Sequence, residues 1–452
     1  MYYRQQMSTP PRSHKPYTVY RAGDVPGSAG ADAAPAGGDA PPRAPRGGGR
    51  GGRDRRRRGG GFLGLLIIMG IVAAAAAGVA AAAGWGPFSG GGSVAELPGP
   101  AASDSVTSAT PSISASPSGQ ASPSPAASPT PTVAPSFSMT AGGDVIGGFG
   151  VSGVVASMGS SLFKNVAPSF EKSDFGFVNL ESPLTTGGDA QGWKDVVIKG
   201  NPDMAPAMAK SGINVVTMAN NHAGDMGDSG LLDSIKYCEK NDIAVVGAGK
   251  DIKQAMAGMV LETDDGVRVA FLGFTDVLPV GYPATSSSPG VAPGRADIGA
   301  VKQAIKAAKK KADFVVVGWH WNFEYKRAPT YLETSQGKAA IDAGADIVIA
   351  HHPHLLDGME AYHGGLIVYS LGNLVFSGFS GETAETVLVR AKVSEDRLDA
   401  QLIPVVGGGS GVPSLAKGAQ AESILQRVKG FSAALDTNVK IADGKGYVHI
   451  TR

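Results

Sequence analysis

Met218 to Asp225, MANNHAGD, decides how this chain is read, because an apolar strand-like run from Ile213 to Met218 ends there on two amides, an imidazole and a carboxylate. A strand buried on both faces reads as a continuous apolar run, and in open α/β sheets ligands gather at the carboxyl ends of such strands. Asn220, Asn221 and His222 stand at such an end. Taken alone, the stretch is equally an Asn-rich turn ahead of a helix capped by Asp228. The other strand ends shift the balance.

Working outward, short apolar runs alternate with helical patterns. The strand candidates are Phe137 to Ala141, Gly176 to Asn179, Ile213 to Met218, Ala244 to Val246, Val267 to Gly273, Phe314 to Gly318, Asp346 to Ala350 and Leu366 to Ser370. Helical stretches lie between several of them, at Gly230 to Lys240, Asp297 to Lys311 and Tyr331 to Ala343, which is the β-α alternation of an α/β domain. Glu385 to Val393 and Leu398 to Val406 have no helix between them and read as a hairpin-type pair. Polar residues then collect after the strands: Asp144, Asn179 and Glu181, Asn221 and His222, His320, and His351, His352 and His354, with Ser370 and Asn373 after the last. Five of the eight histidines follow a buried-type strand, a concentration that a random scatter would seldom give. In the tract HHPH, an alternating backbone would send His352 and His354 to one side, where they can share a metal, and His351 to the other. Carboxylates, an amide and imidazoles without thiolate suit divalent Mn, Zn, Fe or Mg. Two such ions can clamp a phosphoryl oxygen while activating a water, with a bridging carboxylate and an imidazole facing the leaving group. Glu181 and His222 are the candidates for those two roles.

Composition divides the chain before any of this. Residues 1–61 hold 12 Lys/Arg against 4 Asp/Glu, and the rest holds 28 against 35, so the formal charge of +1 is the difference between a +8 tail and a −7 body. The tail has almost no aliphatic side chains and reads as disordered. An acidic body argues against a nucleic-acid partner. Arginines 53 and 55 to 58 precede 24 uncharged residues, Phe62 to Trp85, enough at about 1.5 Å each to cross a ~30 Å hydrocarbon core. That span predicts a single-pass membrane protein with a cytoplasmic amino terminus and everything after Trp85 outside; a cleaved signal peptide is the rival reading. Residues 86–136 are a Ser, Pro and Ala-rich stalk that would stand a domain on the order of 40 Å from the membrane. Residues 137–452 are then one large folded domain. Cys238 is the only cysteine, so neither an intrachain disulfide nor a thiolate metal cluster is available.

GGDVIGG, FVNLESPLT, VVTMANNHAGDMGDSGL, VVGAG, HWNFEY, GADIVIAHHPH and IVYSLGNLVF, in that order between Ser138 and about Val406, together resemble the CapA family, the poly-γ-glutamate capsule biosynthesis proteins. That family resembles a branch of the calcineurin-type metallophosphatases. The resemblance implies a four-layer α/β/β/α sandwich of two mixed sheets, here preceded by one transmembrane helix. It also implies metal ligands at Asp144, Asn221, His320, His352 and His354, with His222 and Asp225 serving the catalytic step. Glu181 stands in for a bridging Asp whose GD-x-x-D motif is absent. Ile146 occupies a position where the superfamily has a histidine; Asn322 and Ala350 replace two of the CapA family's glycines. One metal site then has Glu181, Asn221, His320 and His352, and the other only Asp144, Glu181 and His354.

Gly148 to Gly153, GFGVSG, satisfies a dinucleotide-binding spacing, but it begins several residues after its strand and leaves the strand-end histidines unexplained. No nucleophile elbow or P-loop occurs. Two function classes follow. In one, the domain hydrolyses a phosphoester or related bond in a cell-envelope polymer or its precursor. In the other, it is a non-catalytic, metal-containing part of a membrane machine that makes or exports that polymer.

Overall fold

The computed structural model describes residues 20–21 and 134–452. The expected span at 62–85, the stalk up to residue 133 and all of the 1–61 tail except Tyr20–Arg21 lie outside the described residues; the last stalk position, Ser136, begins a strand. No helix among the described residues is long and apolar enough to cross a membrane.

Two mixed sheets carry the fold. The first runs in the order Tyr20–Arg21, Met259–Glu262, Arg268–Thr275, Phe314–His320, Ile347–His351, Gly365–Val368, Met359–Tyr362. Its three central strands are parallel, and His320 is in register with both Thr275 and His351. The second runs Lys440–Ala442, Lys445–Thr451, Arg397–Val406, Glu385–Ser394, Ser136–Val145, Phe175–Leu180, Val215–Thr217, Ala244–Val246, with Asn373–Val375 also paired to Ser136–Val145. The hairpin-type pair is antiparallel, closing at Val393 and Leu398.

Period-2 alternation decides what faces what. Phe314 and Val316 meet Phe137, Phe175, Phe177, Ile347 and Ile349 in a core between the sheets, while Val315, Val317 and Trp319 point outward against the Ile298–Lys309 and Tyr331–Asp342 helices. The second sheet's outer face, with Val178, Leu180 and Val216, is covered by helices Phe149–Met158, Met204–Ala209 and Gly227–Lys240. A helix that the sequence reading did not identify, Gly418–Ala433, adds Ile424, Leu425 and Val428 to the inter-sheet core.

Several strands run further than the apolar runs suggest. Ser136–Val145 extends through Asp144, and Phe314–His320 and Ile347–His351 end on their histidines, so these residues belong to strands and not to the turns after them. The polar residues sit on the strand faces because buried neighbours satisfy or confront them there, which hydropathy alone does not register.

Candidate metal centre

The centre lies where the carboxyl ends of parallel strands from both sheets meet. Asp144 reaches it through a break in its strand. Ala141 faces the inter-sheet core and Val145 the outer helices although both are odd-numbered; the register shift between Ala141 and Asp144 accounts for the reversal and turns Asp144 inward. Glycine is required at the break: a Cβ on Gly143 would lie 1.9 Å from the Gly372 carbonyl oxygen, the same oxygen that accepts the Asp144 N–H at 2.9 Å.

Asn179, from the neighbouring strand, organises the floor. Its amide donates to Asp144 Oδ1 at 2.9 Å and Glu181 Oε2 at 3.2 Å, and its carbonyl accepts from Asn220 at 3.0 Å. Each carboxylate is thereby gripped by one oxygen. The other oxygens, Asp144 Oδ2 and Glu181 Oε1, are buried without a protein hydrogen-bond partner, as is His352 Nδ1. The structure brings Glu181, His320 and His352 together as one group whose donor atoms lie within 4.8 Å of one another, and Asp144, Glu181 and His354 as a second. Glu181 is common to both. Asn221 Oδ1 is hydrogen-bonded to His320 Nε2 at 2.9 Å, which places the amide oxygen beside the Glu181, His320 and His352 group. His354 Nδ1 is 2.9 Å from Asn373 Oδ1 and 3.5 Å from Asp144 Oδ2.

Electrostatics shows what such a site lacks. Burial, reinforced by the Asp144 charge, raises Glu181 well above the usual carboxylate range. Asp144 is held well below it: burial opposes, but His351 and His354 outweigh it. Burial and then His354 push His352 down to about 3, whereas Glu181 and Asp144 overcome burial to lift His354 to about 9. One carboxylate cannot ionise comfortably and one imidazole cannot take a proton, while three buried donor atoms stand unpartnered. A divalent cation answers all three conditions, so the residues present fit a metal.

His222 and Asp225 form a separate pair beside these groups. Asp225 Oδ2 is 2.7 Å from His222 Nδ1, which puts the Nδ1 proton toward the carboxylate and leaves Nε2 as the nitrogen available for chemistry. Asp225 also accepts from Lys194 Nζ at 2.6 Å, Tyr282 Oη at 2.6 Å and the Ile198 N–H at 2.7 Å. Lys194 and Tyr282 were not found by the sequence reading. Lys194 lies in a polar, glycine-bearing loop with no motif of its own, and Tyr282 lies 57 positions from its partner.

The alternation expected for HHPH does not hold. Regular strand ends at His351, and His352 and His354 take left-handed φ values of 98° and 54°, so both enter the cleft from a turn. His351 shares the inward face of His320 and lies under the centre, its Nδ1 3.1 Å from Asp144 Oδ1. It joins His352 at the site and does not replace it.

Residues 138–378 match the family described as bacterial capsule synthesis protein PGA_cap. The PGA biosynthesis protein CapA of Bacillus subtilis (strain 168) is 34% identical over 307 residues, covering 67% of this chain and 80% of that protein. The capsule biosynthesis protein CapA of Bacillus anthracis is 36% identical over 261 residues, covering 56% and 63%. A probable polyglutamine synthesis accessory protein of Mycobacterium tuberculosis (strain CDC 1551 / Oshkosh) is 30% identical over 221 residues, covering 46% and 58%. With more than half of its length matching the family and four-fifths of a relative covered at this identity, the chain belongs to the CapA family of bacterial capsule synthesis proteins.

Proposed function

We propose that this protein is a metal-dependent hydrolase of the phosphoesterase type that works in the biosynthesis of a capsule or a poly-γ-glutamate-type surface polymer, anchored to the membrane through residues 62–85. The capsule context comes from the names of its relatives. The chemistry rests on one observation: Glu181 is shared by two buried donor groups and keeps one oxygen unpartnered between them, next to the His222–Asp225 pair. Two helix-covered mixed sheets support a metallophosphatase-like sandwich.

In this reading Glu181, Asn221, His320 and His352 hold one ion, of Mn, Zn, Fe or Mg, and Asp144, Glu181 and His354 hold a second. A bound divalent ion supplies Lewis-acid polarisation of a phosphoryl or acyl oxygen and acidifies water. Asn179 fixes both carboxylates so that their free oxygens face the cleft. Asp225 orients His222, whose Nε2 gives a proton to the leaving oxygen. Burial lowers the His222 pKa against the opposing pull of Asp225, with the Lys194 charge adding to the lowering, so the imidazole gives up a proton readily once it carries one on Nε2. Lys194 also fastens the Asn221 carbonyl at 2.6 Å, tying the proton donor to a ligand-bearing turn.

A second reading, a non-catalytic metal-containing or scaffold component of a synthesis or export complex, draws on Ile146. That side chain is fully buried among the outer helices and offers no fourth ligand beside Asp144. Purified protein given Mn or Zn decides between them. His352→Ala is expected to lose metal and hydrolysis of phosphomonoesters and phosphodiesters together. His222→Ala is expected to keep metal and lose about 10²- to 10⁴-fold in turnover. Stoichiometric metal with no hydrolysis by the wild type, and surface polymer still made by His222→Ala cells, would establish the second reading.

A further inference from the structure

Among the described residues, His351 is a buried imidazole that neither the ligand groups nor the His222–Asp225 pair uses. It is 0% exposed, it ends a central parallel strand, and it packs against Phe177 at a ring distance of 6.2 Å. Its Nδ1 stands 3.1 Å from Asp144 Oδ1, yet neither ring nitrogen has an aligned hydrogen-bond partner. Burying polar atoms in that state is unfavourable, a cost that phenylalanine or leucine in the same space would not carry.

The two oxygens of Asp144 are used unequally. Oδ1 receives the Asn179 amide at 2.9 Å from the second sheet and faces His351 from the first. Oδ2 has no aligned partner and belongs to the side where His354 lies, 3.5 Å away. We propose that His351 is a positioning residue for the metal centre: from beneath, its Nδ1 abuts Asp144 Oδ1 and, with the Asn179 amide, keeps Oδ2 turned toward the Glu181–His354 side, the contact aligning into a hydrogen bond when an ion is held. This deepens the proposed function and rests on its metal-binding part. It also gives the poorer of the two donor groups, which has no ligand from Ile146, an imidazole contribution from the opposite sheet. Partners that orient a ligating carboxylate typically change metal affinity 10- to 100-fold when removed, without being ligands themselves.

The test is metal affinity of the full-length protein, measured for Mn, Zn, Fe and Mg by competition with a chelator, together with the unfolding temperature of the metal-free protein. His351→Phe keeps a ring and removes both nitrogens; it is expected to weaken metal binding about 10- to 100-fold while leaving the metal-free unfolding temperature equal or higher. His351→Asn places an amide N–H near the position of Nδ1 and is expected to stay close to wild-type affinity. A packing role for the ring makes the opposite forecast, tight binding by Phe and weak binding by Asn, and that result overturns the proposal. So does equal affinity in all three proteins, or equal weakness in both variants. If the wild type itself binds none of Mn, Zn, Fe and Mg, the hydrolase reading falls first and the role of His351 falls with it. Metal bound by the wild type and unchanged in His351→Phe leaves the hydrolase reading intact and removes only this inference.

Discussion

Asp357 closes the loop that carries His352 and His354, and replacing it with asparagine should change how stability depends on pH. The carboxylate is 2% exposed; Oδ1 accepts the Gly358 N–H at 2.7 Å, and Oδ2 is buried with no partner. Burial, with Glu333 adding to it against the pull of the Gly358 N–H, raises its pKa from 3.8 to about 6. The folded state therefore holds this proton more tightly than the unfolded chain. The stabilising contribution of the protonated group is complete below about pH 4, fades between about 4 and 6, and is gone above that. A shift of about two units corresponds to about 3 kcal/mol at 1.36 kcal/mol per unit. Asparagine does not titrate, so relative to wild type the Asp357→Asn protein should gain about 3 kcal/mol between pH 4 and pH 8, whatever constant offset its amide introduces. For roughly 320 folded residues at about 2.1 cal/mol/K each, that is on the order of 4 °C in unfolding temperature. Calorimetry at half-unit pH steps in the presence of a chelator isolates this effect from metal binding. Parallel wild-type and variant curves from pH 4 to pH 8 would refute the reasoning.

Gly143→Ala should lower the unfolding temperature by several degrees and weaken metal retention, because its methyl group meets the Gly372 carbonyl and displaces the bend that aims Asp144; calorimetry and metal analysis read both. Lys194→Met should keep bound metal but lower turnover, and should lose about 1–3 kcal/mol of stability as the buried Asp225 gives up a charged donor while retaining Tyr282 and Ile198. Burial pushes the Cys238 thiol up to about 12, so a thiol reagent at pH 8 should label it only after denaturation. Protease added to intact cells should cut within 86–136 and release the folded domain. An amino terminus on the cytoplasmic side of the membrane and the pairing of Tyr20–Arg21 with Met259–Val260 exclude one another within one chain, so protection of the tail in the same experiment decides between them.

The framework was legible because its physics is local. Short apolar runs rich in β-branched residues, such as FVVVG and IVIA, read as strands covered on both faces, and the predicted helices correspond to Gly227–Lys240, Ile298–Lys309 and Tyr331–Asp342 with boundary shifts of up to three residues. The C-terminal helix has no capping signal, its N-cap making no side-chain hydrogen bond, but Ala421, Ile424, Leu425 and Val428 have the i, i+3, i+4, i+7 spacing of a helix, so it was legible in the sequence although it was not read there. Lys194 and Tyr282 escaped because each finds Asp225 across a loop closure, and nothing in their own neighbourhoods marks a lysine or tyrosine as bound for a buried carboxylate.

His351 shows where strand arithmetic stops being sufficient. With both sheet faces buried, alternation along Ile347–His351 separates two faces but does not say which is the inter-sheet face, because Ile349 and Ala350 are both apolar. The face is fixed by register with the neighbouring strand: Ile349 pairs with Gly318 and His351 with His320, so the histidines of the two strands turn inward together. Asp144 meets them from the other sheet only because the bend at Gly142 and Gly143 reverses the parity of its strand. Insertion of one alanine between Gly143 and Asp144 should therefore do more than lengthen a strand. It should put the alanine opposite Asn179, turn Asp144 to the helix-covered face, and leave the Glu181–His354 side without its carboxylate. The expected result is a protein that loses metal from the Asp144 side while Glu181, His320 and His352 keep theirs, observed as a fall from two tightly held ions to one, or as a weakened single ion where only one binds. Unchanged stoichiometry and affinity in the insertion variant would mean that Asp144 does not depend on the bend for its place in the centre.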